Sequence, residues 1–224
     1  LQTRFLIPEI LDSLPPDDPA AAASRRDLRR INRLMGNHRW IARELLLHEP
    51  GGMVLELGAG DGSLARRVCQ KQPSMAPRYH ALDLAPRPAD WPAEAHWHQI
   101  DLWSTQAEAL LRQAPTVVAN LFLHHLDNDA LHRLGTLLTS CELLVASEPA
   151  RRRRHCWQGR LLFPLLHRIT RHDMLASIRA GFLKGELPRL LGLHSPPWRL
   201  HSHFSVLGAC RLTARRLYSP PTSA

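Results

Sequence analysis

Lysine is almost missing from this chain: Lys71 and Lys184 are the only lysines among 29 basic residues, and the rest are arginine. The formal net charge of +9 is therefore an arginine excess, in a chain also rich in alanine, leucine and proline. Such a bias reads as composition rather than as a phosphate-binding surface, and nucleic acid is not expected as a partner. Cysteine is scarce as well. Cys69, Cys141, Cys156 and Cys210 lie far apart with no Cys-x-x-Cys pair, which excludes a zinc ribbon or a redox motif and leaves reduced, partly buried thiols. Long apolar runs are missing, none approaching the roughly 20 residues of a membrane-spanning helix. The opening, Leu1 to Pro16, lacks an extended apolar stretch followed by a small-residue cleavage site, so no export signal is expected and the chain reads as cytoplasmic.

What remains suits one α/β domain. A length of 224 residues with 44% hydrophobic content buries one substantial core and falls short of two. Residues 1–23, with Pro15, Pro16 and a run of alanines, read as a flexible leader. Ser24 followed by Asp27 resembles an acidic capping box, and Leu28, Ile31, Leu34, Ile41 and Leu45 then recur at helical intervals. Residues 24–48 are thus expected to form a helical cap, broken near Gly36-Asn37. From Met53 the period changes to short apolar runs: 53–57, 79–84, 96–100, 116–122 and 142–146 read as strands. Helices are expected at 64–70, 105–113 and 128–138, and the proline-rich link 85–95 as loop. This alternation means a mostly parallel sheet with helices on both faces. After the fifth strand, residues 149–196 form an insertion on the substrate side. It should hold helices at 157–169 and at 173–180, the second capped by Asp173. A hairpin of strands at 198–204 and 206–212 closes a single domain of residues 24–215, and 216–224 is a tail.

The chemistry-bearing signal is Glu56-Leu57-Gly58-Ala59-Gly60-Asp61-Gly62, directly after a buried strand and before a helix. Glycines let the backbone turn there and approach a ligand closely. Ser63 stands where a pyrophosphate-binding G-x-G-x-x-G loop needs glycine, so the spacing favours a ligand without pyrophosphate. Asp83 ends the second strand, where a carboxylate can accept both hydroxyl hydrogens of a ribose.

In these residues the chain resembles the class I S-adenosylmethionine-dependent methyltransferases, whose first motif is E/D-x-G-x-G-x-G. The resemblance implies a Rossmann-like sheet of seven strands with a C-terminal antiparallel hairpin strand. It also implies that Gly58, Ala59, Gly60 and Gly62 pack under S-adenosyl-L-methionine, with Glu56 organising its amino-acid end and Asp83 its ribose. Asp101 matches the acid that bonds the adenine amino group, and Leu84 and Leu102 are the apolar neighbours for the ring. Asn120, in Asn120-Leu121-Phe122-Leu123-His124-His125, should line the cofactor pocket at the end of strand four. His124 or His125 should face the acceptor, where histidine can take a proton near neutral pH. No Pro-Pro follows Asn120 and no cysteine follows a proline, which removes the nucleobase-modifying subclasses. Asp27 to Arg33, Gly36, His38-Arg39 and the 173–187 stretch are similar to bacterial methyltransferases of polyketide or quinone pathways. That finer likeness implies O-methylation of a phenolic, polyketide or quinol small molecule, or attack by a ring carbon. Asn37 departs from it where a second glycine is expected. Two rivals stand beside this reading: a nucleotide-dependent oxidoreductase, and a non-catalytic S-adenosylmethionine-binding module. The pairs His96/His98 and His201/His203 share strand faces but have no third ligand at a telling spacing, so no metal is expected. Arg151 to Arg154 border the acceptor entrance and would attract an acidic group.

Overall fold

The computed structural model describes residues 3–15 and 18–217. Seven strands form one sheet in the order β3-β2-β1-β4-β5-β7-β6. β1 (Val54–Leu57), β2 (Tyr79–Asp83), β3 (His96–Gln99), β4 (Thr116–Asn120) and β5 (Leu143–Pro149) are mutually parallel. β7 (Ala209–Arg216) pairs antiparallel with both β5 and β6 (Trp198–Phe204). This is the Rossmann-like architecture with its closing hairpin. The two faces carry separate cores, one built on Leu55, Leu57, Val117 and Leu144, the other on Val54, Tyr79, Val118 and Val145. A strand whose alternate residues fill both cores has no wet face, so it reads as a continuous apolar run.

Helices α3 (Ser63–Lys71), α4 (Thr105–Gln113) and α5 (Asn128–Leu137) fall where the periodicity predicts them. Ser104 caps α4 through Ala107 N–H and Asp127 caps α5 through Ala130 N–H, satisfying donors left open at a helix start. The strand ends shift more. β5 continues through Ser147, Glu148 and Pro149, all buried, because β7 pairs with it as far as Pro149↔Ala209. β7 starts later than the alternation suggests, since Ser205 to Gly208 make the turn, with Gly208 at φ 89° and Ser205 Oγ accepting from Ala209 N–H.

The N-terminal helix begins earlier than expected. α1 spans Pro19–Met35, with Asp18 as its cap and Pro19 in its first turn; proline suits that position, and the alanines that follow are strong helix formers. Ser24 and Asp27 are therefore not a capping box but buried positions on the inner face of α1. There Asp27 accepts from His167 N–H and Thr170 Oγ1, so it serves the start of α7 (Arg168–Ala180). The break at Gly36 is present, at φ 67°, and α2 (Asn37–His48) follows. Asp173 is likewise not a cap: it lies inside α7, buried, and accepts from Ile10 and Leu11 N–H. Arg4 donates to Ala180 O, Leu126 O, His124 O and Asn128 Oδ1. The segment composition marks as a loose leader thus makes specific contacts over residues 4–11. Residues 1, 2, 16 and 17 of that leader, and 218–224 of the expected tail, lie outside the described residues.

Between β5 and β6 the insertion holds α6 (Arg153–Leu161), a 3-10 turn at Phe163–Leu165, α7 and the short α8 (Glu186–Leu190). The single helix expected over 157–169 is divided at Pro164, which cannot continue an α-helical ladder. Arg151, the first of the arginine run, is buried, with its guanidinium bonded to Gly181 O and Glu186. Two glycines record how tightly the insertion sits. A Cβ on Gly135 would lie 1.9 Å from Leu191 O, and one on Gly181 would lie 2.2 Å from Pro149 O. We predict that Gly135→Ala destabilises the fold by about 1–3 kcal/mol through forced backbone displacement, whereas Gly51→Ala, with nothing within 4 Å of its Cβ, leaves the melting temperature nearly unchanged.

Candidate functional site

Because β1, β2, β3 and β4 run parallel, their C-terminal ends share one edge, and strand order reverses between β1 and β4. A crevice opens at such a switch point, outside the carboxyl ends of the strands. The 58–62 loop occupies it. Gly58, Gly60 and Gly62 all adopt positive φ (64°, 57° and 71°). A Cβ on Gly58 would meet Phe122 at 2.1 Å and one on Gly62 would meet Trp91 at 2.9 Å, while that of Gly60 would point into open space. Two of the glycines are thus demanded by packing and backbone together, and Gly60 keeps the crevice floor bare. Ala59 is buried beside them.

Asp83 Oδ2 accepts from Gly60 N–H at 2.7 Å and its Oδ1 from Ala85 N–H at 2.8 Å, which places this carboxylate against the glycine loop. Asp101 is on the neighbouring strand end: Ile100 N–H donates to Asp83 O, and Asp101 Oδ1 accepts from Trp103 N–H. The two acids therefore stand on one edge of the sheet. Of their apolar neighbours, Leu84 is 70% exposed whereas Leu102 belongs to the core, so Leu84 presents the open face. Glu56, at the end of β1, is buried, accepts from Tyr79 Oη at 2.9 Å, and burial pushes its carboxyl up to about 8.

The helical cap closes over this edge. Arg29 of α1 pairs with Asp61 of the loop at 3.4 Å. Asn120 Nδ2 lies 3.5 Å from Asn32 Oδ1 and 3.2 Å from His38 Nε2. Burial lowers the pKa of His38, so its ring is neutral and accepts. The buried Oδ1 of Asn120 has no hydrogen-bond partner among the described residues. An orphaned acceptor beside a bare glycine loop is a polar group left for something else to satisfy.

Beyond Asn120 the chain turns through Leu121, at φ 52°, into a 3-10 turn at Leu123–His125. Glu148, fully buried at the end of β5, accepts from Phe122, Leu123 and His124 N–H and from His124 Nδ1 at 2.9 Å. On the other side of the His124 ring, Nε2 faces Glu9 Oε1 at 3.5 Å, and Glu9 is held by Ser177. Burial would lower the His124 pKa, but the hydrogen bond and charge of Glu148, with the nearby charge of Glu9, override it and raise the value to about 9. His124 is an imidazolium at neutral pH. His125 lies against it, ring centroids 4.1 Å apart; the residue as a whole is exposed, but desolvation of its ring at this contact together with the His124 charge pulls its pKa down to about 4. Glu9, His124 and His125 bring their ligand-type atoms within 4.8 Å of one another, a cluster in which the two adjacent histidines hold opposite charge states.

Sequence reasoning did not place Glu9 or Glu148 in this site, and reached Asn32 and His38 only through the likeness of the N-terminal stretch. Glu148 carried one usable signal, an acid at the end of an otherwise apolar strand. Glu9 carried none, since its partner is more than a hundred residues away. On the strands, His80 Nδ1 meets His98 Nε2 at 3.0 Å and the His80 ring stacks on His96, and His203 packs edge-on against Trp40.

The two raised values set a pH dependence. Glu56 and His124 both bind protons more tightly folded than unfolded, so each contributes stability that is lost as pH rises through its folded value. The windows run from 4.5 to about 8 for Glu56 and from 6.5 to about 9 for His124. Thermal melts recorded against pH should show stability falling between about 6.5 and 9, where both groups act in the same direction, while below 6.5 the lowered values of His80 and His125 oppose Glu56. Glu56→Gln should make the fall up to about pH 8 shallower and leave the part that belongs to His124.

No protein-family model matches the chain, and no curated protein sequence does. Solved structures do match in shape. The plantazolicin methyltransferase BpumL, in complex with a triazolic desmethylPZN analog and SAH, superposes with a TM-score of 0.70 at 10% identity, covering 93% of each chain. A SAM-dependent methyltransferase from Anabaena variabilis gives 0.55 at 15% identity over 90% of this chain and 96% of its own. An O-methyltransferase family protein from Burkholderia thailandensis gives 0.55 at 15% identity, over 88% of this chain and 58% of its own. At such identities the likeness is one of architecture, and the chain has the class I S-adenosylmethionine-dependent methyltransferase fold.

Proposed function

We propose that this protein is an S-adenosylmethionine-dependent methyltransferase acting on a small-molecule oxygen, with a phenolic or quinol hydroxyl as acceptor. One observation carries the reading: the bare Gly60 floor, the Asp83 carboxylate against it and the orphaned Asn120 Oδ1 meet at one switch-point edge under a helical cap. These groups fit the cofactor. Asp83 and Asp101 would hold its nucleoside, Leu84 would cover the ring, and Gly58 to Gly62 with Asn120 would bind the amino-acid end. Glu56, buried at the end of β1 and held by Tyr79, would organise the amino-acid end from beneath. When bound, S-adenosylmethionine supplies an electrophilic methyl group on a sulfonium.

The chain's own part in the transfer is to orient the acceptor, exclude water and receive a proton. Holding reactants in attack geometry removes on the order of 7–11 kcal/mol of barrier. His125 is unprotonated at neutral pH and is the proton acceptor in this reading. His124, already protonated between two carboxylates, cannot take a proton there and acts as a positioning residue. A base as weak as His125 serves when its proton becomes strongly acidic during the reaction, as a hydroxyl proton does while its oxygen gains a methyl group. Phenols meet that condition more readily than aliphatic alcohols.

Three measurements test this. Calorimetry should show S-adenosylmethionine binding to the wild type and at least about tenfold weaker binding to Asp83→Ala, the loss expected for a charged hydrogen-bonding group. His125→Ala should lower kcat by about 10²–10⁴ with little change in cofactor affinity. A panel of phenols and quinols incubated with labelled cofactor identifies the acceptor by mass spectrometry. Absence of cofactor binding, or tighter binding of NADH, would sink the proposal; binding without any transfer would favour the non-catalytic module.

A further inference from the structure

The outer face of α6 is unaccounted for by the crevice. At about 100° per residue, Arg153, Trp157, Arg160 and Leu161 occupy one arc of the helix, with Arg154 at its border. Trp157 is 67% exposed, Leu161 79%, and Leu165 in the following 3-10 turn 76%. The opposite face is the packed one: His155 and Gly159 are buried, and a Cβ on Gly159 would lie 3.0 Å from Met174 of α7. The exposed stripe is therefore not a core face that has lost its partner. Scattered apolar residues on a surface are ordinary, but Trp157 and Leu161 lie one turn apart on one face of α6, and Leu165 is exposed in the turn directly after it.

Their charged surroundings are of one sign. From Pro149 to His172 the sequence contains no aspartate or glutamate, while Arg152, Arg153, Arg154, Arg160 and Arg168 are all exposed. Arg160 lies over the Trp157 ring at 5.5 Å. A tryptophan and two leucines standing out of an arginine field match what an interfacial segment presents to a membrane: apolar side chains for the acyl boundary, cations for the headgroups. α6 has nine residues, too few to cross a bilayer.

We propose that α6 and the turn after it form a docking surface for an anionic bilayer, with Trp157, Leu161 and Leu165 entering the interface and the flanking arginines on the lipid phosphates. Nucleic acid or an acidic protein would engage the arginines but leave both leucines in water, so the lipid surface accounts for more of the face. Docking does not depend on the transferase reading. One consequence does rest on it: α6 follows β5 closely, and Glu148 of β5 holds His124, so docking brings the acceptor side of the crevice toward the membrane. The substrate class is then a phenol or quinol with a lipophilic tail that partitions into the bilayer.

Sedimentation of the whole chain with vesicles tests the surface. Binding is expected to vesicles of phosphatidylcholine mixed with phosphatidylglycerol, to be weak on phosphatidylcholine alone, and to fall with salt. Leu161→Ser with Leu165→Ser should reduce partitioning about tenfold or more, and Arg153→Gln with Arg154→Gln by a similar factor. All four positions are exposed, so circular dichroism and S-adenosylmethionine affinity should match the wild type. Partitioning unchanged by both pairs, equal binding to neutral vesicles, or no binding to either overturns the proposal. Binding to soluble polyglutamate without binding to vesicles would also overturn it, assigning the face to an acidic protein. Vesicle binding by a chain that transfers no methyl group to any acceptor would leave the docking surface standing and remove only the substrate class.

Discussion

The carboxylate of Glu148 joins the sheet to the site. It sits without solvent contact at the end of β5 and accepts three backbone N–H groups from the turn after β4, together with the Nδ1 proton of His124. A buried carboxylate with so many donors is stable only while they stay in place, and the donors are held because the charge is there. The pairing of β4 with β5, which reaches Asn120↔Ser147, supplies the rigidity on both sides. From this one arrangement follow the position of the 3-10 turn, the orientation and charge of His124, and the place where His125 stands.

The effect spreads outward through charge. An imidazolium with one face on Glu148 attracts a second carboxylate to the other, and Glu9 comes from the far N-terminal segment to meet it. Asp173 anchors the same segment through Ile10 and Leu11, and Arg4 ties it to the His124 and Leu126 carbonyls. The segment thereby becomes one wall around the paired histidines. On the cofactor side the cap is fastened by Arg29 to Asp61 and by Asn32 and His38 to Asn120. Two separate N-terminal pieces are thus fastened by polar contacts, one to the glycine loop and Asn120, the other to the turn that carries the paired histidines.

Legibility in the sequence followed the range of the interaction. The strands over 54–57 and 116–120 were readable because a strand buried on both faces must be apolar throughout, those over 79–83 and 96–99 as short runs bounded by turn residues, and the glycine loop because positive φ demands glycine locally. Asp83 and Asp101 were readable because their positions follow from strand ends. The start of α1 was misread because Ser24 and Asp27 have capping chemistry, and their use against Thr170 and His167 is decided across more than a hundred residues. Asp173 was misread for the same reason. The paired histidines were legible as residues and illegible as chemistry, since burial and two distant carboxylates set opposite charge states in adjacent rings.

What the sequence determined by itself is the parallel sheet, its switch point and the loop that fills it, because periodicity, turn residues and strand ends are local properties of the chain. Only the tertiary structure decided which groups share a charge, which carboxylates are buried, and which face of the insertion is left apolar and open to solvent. Those outcomes depend on desolvation and on Coulomb interactions between residues that meet only after folding, and no pattern along the chain records such meetings.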